Sequence, residues 1–179
     1  LKTIGKQINQ IENLVNEFSD FARMPKPIFV NTNIIEIIKH NITLLKEFDK
    51  SISIKFIFNK KNFSINCDTD QISRVIFNLI KNSIEGIQEK VKKNGDFTKI
   101  ISIEIKDKND YISLSITDNG TGFSTNIIKN ITKPYFTTKA KGSGLGLSIV
   151  SKIINDHNGS IKFSSNNAGA IVEILLPKN

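Results

Sequence analysis

Asp118-Asn119-Gly120-Thr121-Gly122-Phe123 and, farther on, Gly142-Ser143-Gly144-Leu145-Gly146-Leu147 bound the stretch that decides how this chain folds. The first run follows Ile112, Leu114 and Ile116, which alternate as a strand, so Asp118 stands where a strand ends and glycines let the backbone turn. The second runs into Ser148-Ile149-Val150-Ser151-Lys152-Ile153-Ile154, whose apolar spacing is helical. Glycine-lined backbone at a helix start presents free N–H groups and the positive end of the helix dipole, which suits a phosphate chain. A carboxylate at one end and a phosphate cradle at the other would grip opposite ends of a nucleotide.

Simpler readings of these runs are available. Asp-x-Gly-x-Gly by itself is a turn. The later glycines are not a dinucleotide fingerprint, because Leu147 stands where the third glycine belongs and no strand leads directly into them. No Gly-x-x-x-x-Gly-Lys-Ser/Thr occurs anywhere, which excludes a P-loop. The nucleotide reading therefore needs support from the rest of the chain.

With 179 residues, 39% hydrophobic and 23% charged, the chain is long enough to bury a real core and polar enough to be globular. No apolar run approaches the ~20 residues that a membrane-spanning helix needs. Cys67 is the single cysteine, so a disulfide framework within the chain is excluded and a reducing compartment is expected. With His40 and His157 far apart, a Cys/His metal site is not expected either. The net charge of +8 raises a nucleic-acid partner, but the lysines are scattered apart from Lys60-Lys61 and the run Lys90 to Lys93. No nucleic-acid partner is expected. The chain opens on Leu1 inside a helical pattern and reads as a piece of a longer protein with no signal peptide before it.

Ile4, Ile8, Ile11, Val15, Phe18 and Ala22 recur at alternating four- and three-residue steps, the seam of a helical bundle. Pro25 and Pro27 then end the helix and form a stiff linker, so residues 1–27 and 28–179 are expected as two units. Beyond it, Phe29-Val30 is a short strand candidate. Asn33 can cap a helix bearing Ile34, Ile37, Ile38, Ile42, Leu45 and Phe48. Ile52, Ile54, Phe56 and Phe58 alternate as a half-buried strand, with a briefer one around Phe63 to Ile65.

Asp68 followed by Gln71 has the spacing of a capping box, with Asp at the N-cap. The helix it opens carries Ile72, Val75, Ile76, Leu79, Ile80, Ser83, Ile84 and Ile87 on one face. Asn78, Asn82 and Glu85 form a polar stripe beside them. Asparagine is a mediocre helix former, so two of them one turn apart are either a surface stripe or a site. Asn94-Gly95 ends this helix. Ile101, Ile103 and Ile105 then pair through Lys108-Asn109-Asp110 with the strand leading to Asp118, and a second hairpin runs from Ile161 to Leu176. His157 closes the helix after the glycine run as a cap. Hairpins mixed with three helices predict an α+β fold, a two-layer α/β sandwich with helices on one face of a mixed sheet.

In this order the motifs resemble the ATP-binding domain of sensor histidine kinases, of the Bergerat (GHKL) type shared with Hsp90, MutL and type II topoisomerases. Asn78-Leu79-Ile80-Lys81-Asn82-Ser83 is similar to the N box and Asp118-Asn119-Gly120-Thr121-Gly122 to the G1 box. Pro134-Tyr135-Phe136-Thr137-Thr138-Lys139 is similar to the F box, and Gly142-Ser143-Gly144-Leu145-Gly146-Leu147 to the G2 box. The first helix resembles the second helix of the dimerisation and phosphotransfer hairpin. Its ending, Glu17 to Pro25, is similar to nitrogen-regulation sensors of the NtrY/NtrB kind.

The resemblance implies roles. Asp118, at the rim, accepts a hydrogen bond from the adenine amino group. Asn82 completes a Mg²⁺ shell of phosphate oxygens and water, and Asn78 points toward the same phosphates. Lys81 and Glu85 flank them, Gly120 and Gly122 shape the turn, and Gly142, Ser143, Gly144, Leu145, Gly146 and Leu147 line the phosphates. Residues 124–141 form a lid anchored by Phe136, with Thr137, Thr138 and Lys139 or Lys141 near the terminal phosphate. The ATPase relatives carry a Glu at the position of Asn78 to activate water; an amide has no base function, which favours transfer over hydrolysis.

Neither His40 nor His157 has the sequence context of the phosphate-accepting His, so the acceptor is expected outside this piece. The resemblance thus implies a protein-histidine kinase region using ATP and Mg²⁺. Its implied partners are an acceptor hairpin, a response-regulator receiver domain and a second copy of the full-length protein. The region is expected in the cytoplasm, whether or not the full-length protein is anchored in the inner membrane. The alternatives are a Bergerat-type Ser/Thr kinase of the anti-sigma-factor kind and a non-catalytic nucleotide-binding scaffold.

Overall fold

Asn33 closes strand β1 (Val30–Asn33) and opens helix α1 (Ile34–Lys46). Its Oδ1 accepts from the N–H of Ile35 at 3.2 Å, as an N-cap should, and from the N–H of Phe63 at 3.1 Å. The structure is a computed structural model and describes Val15, Ser19 and residues 23–139 and 142–178. After α1 come β2 (Ser53–Phe58), β3 (Ser64–Cys67) and the long helix α2 (Thr69–Asn94). The hairpin β4 (Ile100–Lys108) and β5 (Tyr111–Asp118) follows, then the single turn α3 (Thr125–Ile128). Helix α4 (Gly146–Asp156) and the hairpin β6 (Ser160–Ser165) and β7 (Ala170–Pro177) complete the order.

The five-stranded sheet has the order β2-β4-β5-β7-β6. Only β2 and β4 are parallel, and the crossover between them carries β3 and α2. Registers such as Ile103 opposite Ile116 and Leu114 opposite Ile174 put isoleucine and leucine on one face of three adjacent strands. The sheet buries Ile101, Ile103, Ile105, Ile112, Leu114, Ile116, Val172, Ile174 and Leu176, while Ser102, Glu104, Ser113, Ser115 and Thr117 take the other face. Against the buried face pack Ile72, Ile76, Ile80 and Ile87 of α2 and Ile149, Val150, Ile153 and Ile154 of α4. Each such side chain stabilises the fold by roughly 1.5–3 kcal/mol relative to exposure. The core thus presses both helices onto the sheet. This is the expected mixed sheet with helices on one face.

Several local expectations change. Phe48 is no part of the buried face of α1: the helix stops at Lys46, and Phe48 is 64% exposed, edge-on to Phe77. The strand near Phe29 begins at Val30 and pairs with β3, one residue later than its expected start, in a separate two-stranded ribbon. The capping box at α2 is half made: Asp68 Oδ1 accepts from the Gln71 N–H at 3.0 Å, but the Gln71 side chain turns to the Pro25 carbonyl instead. The expected bundle seam lies outside the described residues apart from Val15, which is 55% exposed. Cys67 is buried, and desolvation helped by the Asp68 carboxylate pushes its thiol up to about 11, so it is a packing residue.

Candidate nucleotide site

A cavity of about 240 Å³ opens between α2, the end of β5, the segment after α3 and the start of α4. Helical spacing brings Asn78, Asn82 and Glu85 of α2 to one wall, and Lys81 joins them at the mouth. Asp118, Gly122, Phe136, Thr137, Thr138, Lys139, Gly142, Ser143, Gly144, Gly146 and Leu147 complete the gathering of expected residues. Gly120 and Leu145 do not line it. Leu145 is fully buried in the core just before α4. Gly120 lies beneath the wall, where a Cβ would come within 2.6 Å of the Gly86 carbonyl carbon. Lys141 lies outside the described residues.

Asp118 is no rim carboxylate, for it is 7% exposed at the floor of the cavity. The position follows from the register, since β5 ends at Asp118 between β4 and the turn into β7. Its Oδ1 accepts from the N–H groups of Gly120 at 2.9 Å and Ala170 at 3.2 Å. Burial raises its pKa above the ordinary value, opposed by these amides, by a hydrogen bond from Ser83 and by the Lys90 charge. Phe123, Ile127, Ile131 and Val172 supply an apolar flank beside it. A flat base with an exocyclic amino group suits a buried acceptor with apolar walls.

At the opposite end α4 starts with no side chain capping it, which leaves its first N–H groups available to a ligand. Gly144 has φ +72 and faces Tyr135 so closely that a Cβ would sit 2.5 Å from its carbonyl carbon. Glycine is required there on both counts. A Cβ at Gly146 would lie 3.3 Å from Asn78 Oδ1, so the amide and the cradle adjoin. Asn78 Nδ2 is spent on the Arg74 carbonyl, at 2.9 Å, which directs the side chain.

Lys139 spans the cavity. Its ammonium lies 3.1 Å from Asn82 Oδ1 and is ion-paired with Glu85. Two oxygen donors of the kind that hold Mg²⁺ thus already converge on one positive charge, and the donor set fits that ion. Sequence reasoning passed over Ser83, Ala170 and Gly86. An isolated glycine inside a helix, costing about 1 kcal/mol against alanine, was the available signal for Gly86. The amide of Ala170 carries no such signal, because any residue could supply it.

Helices on one face of a mixed sheet, with a buried carboxylate and a glycine cradle at the two ends of one cavity, define a nucleotide-binding domain of ATPase type. The chain belongs to the family of histidine kinase-, DNA gyrase B-, and HSP90-like ATPases, whose model matches residues 67–179. Domains of this family bind ATP. Within the family the likeness is to sensor histidine kinases. A putative NtrY-like sensor histidine kinase of Rickettsia conorii is 38% identical over 175 residues, covering 97% of this chain and 28% of that protein. The catalytic domain of the histidine kinase ThkA superposes with a TM-score of 0.75 at 27% identity, over 84% of this chain and 96% of that one. A structure of ThkA in complex with the response regulator TrrA covers 99% of this chain and 50% of that one, with a TM-score of 0.81 and 25% identity. Against the Rickettsia protein, then, this chain spans little more than a quarter of the length. Among the described residues no helix is long and apolar enough to cross a membrane.

Proposed function

We propose that the chain is the ATP-binding catalytic region of a two-component sensor histidine kinase. In this reading it delivers the γ-phosphoryl of ATP to a His outside residues 1–179. The observation that carries the reading is the pairing of a buried base acceptor, Asp118, with an amide, Asn78, at the phosphate end. A carboxylate at position 78 could take a proton from water, and an amide cannot. The site therefore favours holding ATP for an incoming nucleophile over hydrolysing it.

The residues divide the work. Asp118 accepts the adenine amino group, and Gly142, Gly144 and Gly146 let backbone N–H groups approach the phosphates. Asn82 offers its oxygen to Mg²⁺, with Glu85 beside it and Asn78 one turn away. Mg²⁺, when bound, neutralises charge on the phosphate oxygens. Lys81, Thr137, Thr138, Ser143 and Lys139 put polar groups along the phosphate path, and Phe136 fastens the segment above it. In the transfer, an acceptor ring nitrogen bonds to the γ-phosphorus as the bond to the bridging oxygen breaks, and ADP departs with the electron pair.

Residues 1–27 serve as the second hairpin helix and linker, and 28–179 as the catalytic domain. The acceptor hairpin, a receiver domain and a second copy of the full-length protein are the partners, and the region lies in the cytoplasm. Radiolabelled ATP and Mg²⁺ test the reading. The chain alone should acquire no acid-labile phosphate, and a supplied acceptor hairpin should become labelled. Stoichiometric label on His40 or His157 would overturn it.

A further inference from the structure

His157 follows α4, is 3% exposed and makes two ring hydrogen bonds. Its Nδ1 lies 2.8 Å from the Ile153 carbonyl, and the Asp68 N–H donates to its Nε2 at 3.0 Å. With the Asp68 N–H donating to it, Nε2 is the acceptor nitrogen, and Nδ1 is the one that donates to the Ile153 carbonyl. The Asp68 carboxylate caps α2 through Gln71 and also accepts the Ile28 N–H at 2.9 Å. The Gln71 amide donates to the Pro25 carbonyl at 3.1 Å.

Both ties on the incoming segment grip its backbone. Ile28 is 76% exposed and Lys26 is also exposed, so between Met24, which packs on the core, and Phe29, whose ring lies 5.1 Å from that of His157, the path is held by these backbone ties. Gln71 is 8% exposed, and its Oε1 is buried without a hydrogen-bond partner. A buried carbonyl oxygen left unpaired is a cost, and a side chain retained despite it is retained for its N–H. Both ties come from the start of α2, and His157 joins that start to the end of α4; these two helices build the phosphate end of the cavity. Gln71 to Asn78 along α2 is about 10 Å, and α4 from Gly146 to Asp156 is about 15 Å, at ~1.5 Å per residue.

We propose that Asp68, Gln71 and His157 form a junction that fixes the direction in which the chain before Pro27 leaves the nucleotide domain. They are positioning residues for phosphoryl transfer: they touch no nucleotide, but they set where the bound one is presented. This rests on the kinase reading above.

The test uses the longer protein that carries the acceptor His. Removing His157 would strand the Asp68 N–H and could unfold the domain, so the variant is Gln71→Met. It deletes both the tie to Pro25 and the orphaned oxygen, so its melting temperature should not fall. Exchange of the Lys26 and Ile28 backbone amides, the two in 26–28 that carry an N–H, should speed by about tenfold, because a segment released at Pro25 opens more often even with Asp68 in place. ATP affinity should stay within about twofold of the parent. Transfer at saturating ATP should drop by about fivefold with KM for ATP unchanged, because misplacement costs rate and not ground-state binding. Unchanged exchange over 26–28, or faster exchange with undiminished transfer, would overturn the junction. If the parent protein itself failed to bind ATP, the kinase reading would fall instead, and the exchange data would still judge the junction.

Discussion

The ammonium of Lys139 lies 3.1 Å from the side-chain oxygen of Asn82, on the oxygen assigned to Mg²⁺. The same ammonium is paired with Glu85, and both partners are 36% exposed. Lysine and metal ion therefore compete for one position. A partly exposed pair contributes roughly 0.2–1 kcal/mol, so Lys139→Met should lower the Mg²⁺ concentration that half-saturates ATP binding by about 1.4- to fivefold. Titration calorimetry over a Mg²⁺ series measures this, and a half-point that rises would mean Lys139 serves the phosphates more than it blocks the ion.

Asn82→Ala separates the ion from the base. Mg²⁺-dependent ATP affinity should fall, while binding of adenosine without metal should stay nearly intact, since Asp118 and the apolar flank are untouched. Equal losses with and without metal would make Asn82 a structural residue.

Asp118→Asn should weaken ATP binding by about 1.5–3 kcal/mol, the range for a hydrogen bond to a charged group. Its effect on stability has a definite sign. Burial raises the folded-state pKa of Asp118 above the ordinary 3.8, so the folded state holds the proton more tightly than the unfolded one. That contribution is present below 3.8 and is lost as the pH rises through the raised value. The variant has no such loss, so its stability relative to the parent should grow from acid toward neutrality. Denaturant melts at a series of pH values read this directly, and a variant advantage that shrinks with pH would contradict the burial argument.

Asp68 behaves oppositely. Burial works against its ionisation, but the amides of Gln71, Ile28 and Asp70 hold its carboxyl below the ordinary 3.8. The stability it lends is present above 3.8 and is lost as the pH falls through the lowered value. Amide protection at Gln71 and Ile28 should therefore fade together on acidification, as followed by NMR, and should persist in Asp68→Asn, whose amide oxygen no longer titrates.

Gly120→Ala should destabilise the domain by about 1–3 kcal/mol, because a Cβ there meets the α2 backbone and must push β5 away. For a domain of this size the melting temperature should fall by roughly 2–4 °C per kcal/mol. Gly86→Ala is the control, for its Cβ would meet nothing nearer than Thr121 Oγ1 at 3.9 Å.

The legible parts were those with a local signature. Asp118 followed strand alternation and preceded glycines, the stripe of Asn78, Asn82 and Glu85 stood out against an apolar helix face, and Gly95 and Asn109 marked turns. Both adopt positive φ, as those roles require. Pairing between distant segments left no such mark. Nothing in Ser53 to Phe58 says that it lies parallel to β4, nor does Val30 to Asn33 announce a ribbon with β3. The depth of Asp118 was misread for the same reason: burial depends on Ser83 and Ala170, which arrive from elements far away in the chain. Lys139 was expected at phosphate and found its partners on α2, a choice made by distance and not by motif.

The amide of Asn66 donates to the carbonyl of Lys178 at 3.3 Å, two positions before the aspartate that holds the incoming segment. Entry and exit of the folded unit are thus gathered at one edge of the β1–β3 ribbon. A unit whose two ends meet can be grafted into a loop of another protein, or joined end to end and reopened elsewhere, with short connectors. The same closeness makes the domain portable: a host would supply one attachment edge, and the cavity between α2, the end of β5 and the start of α4 would travel with it.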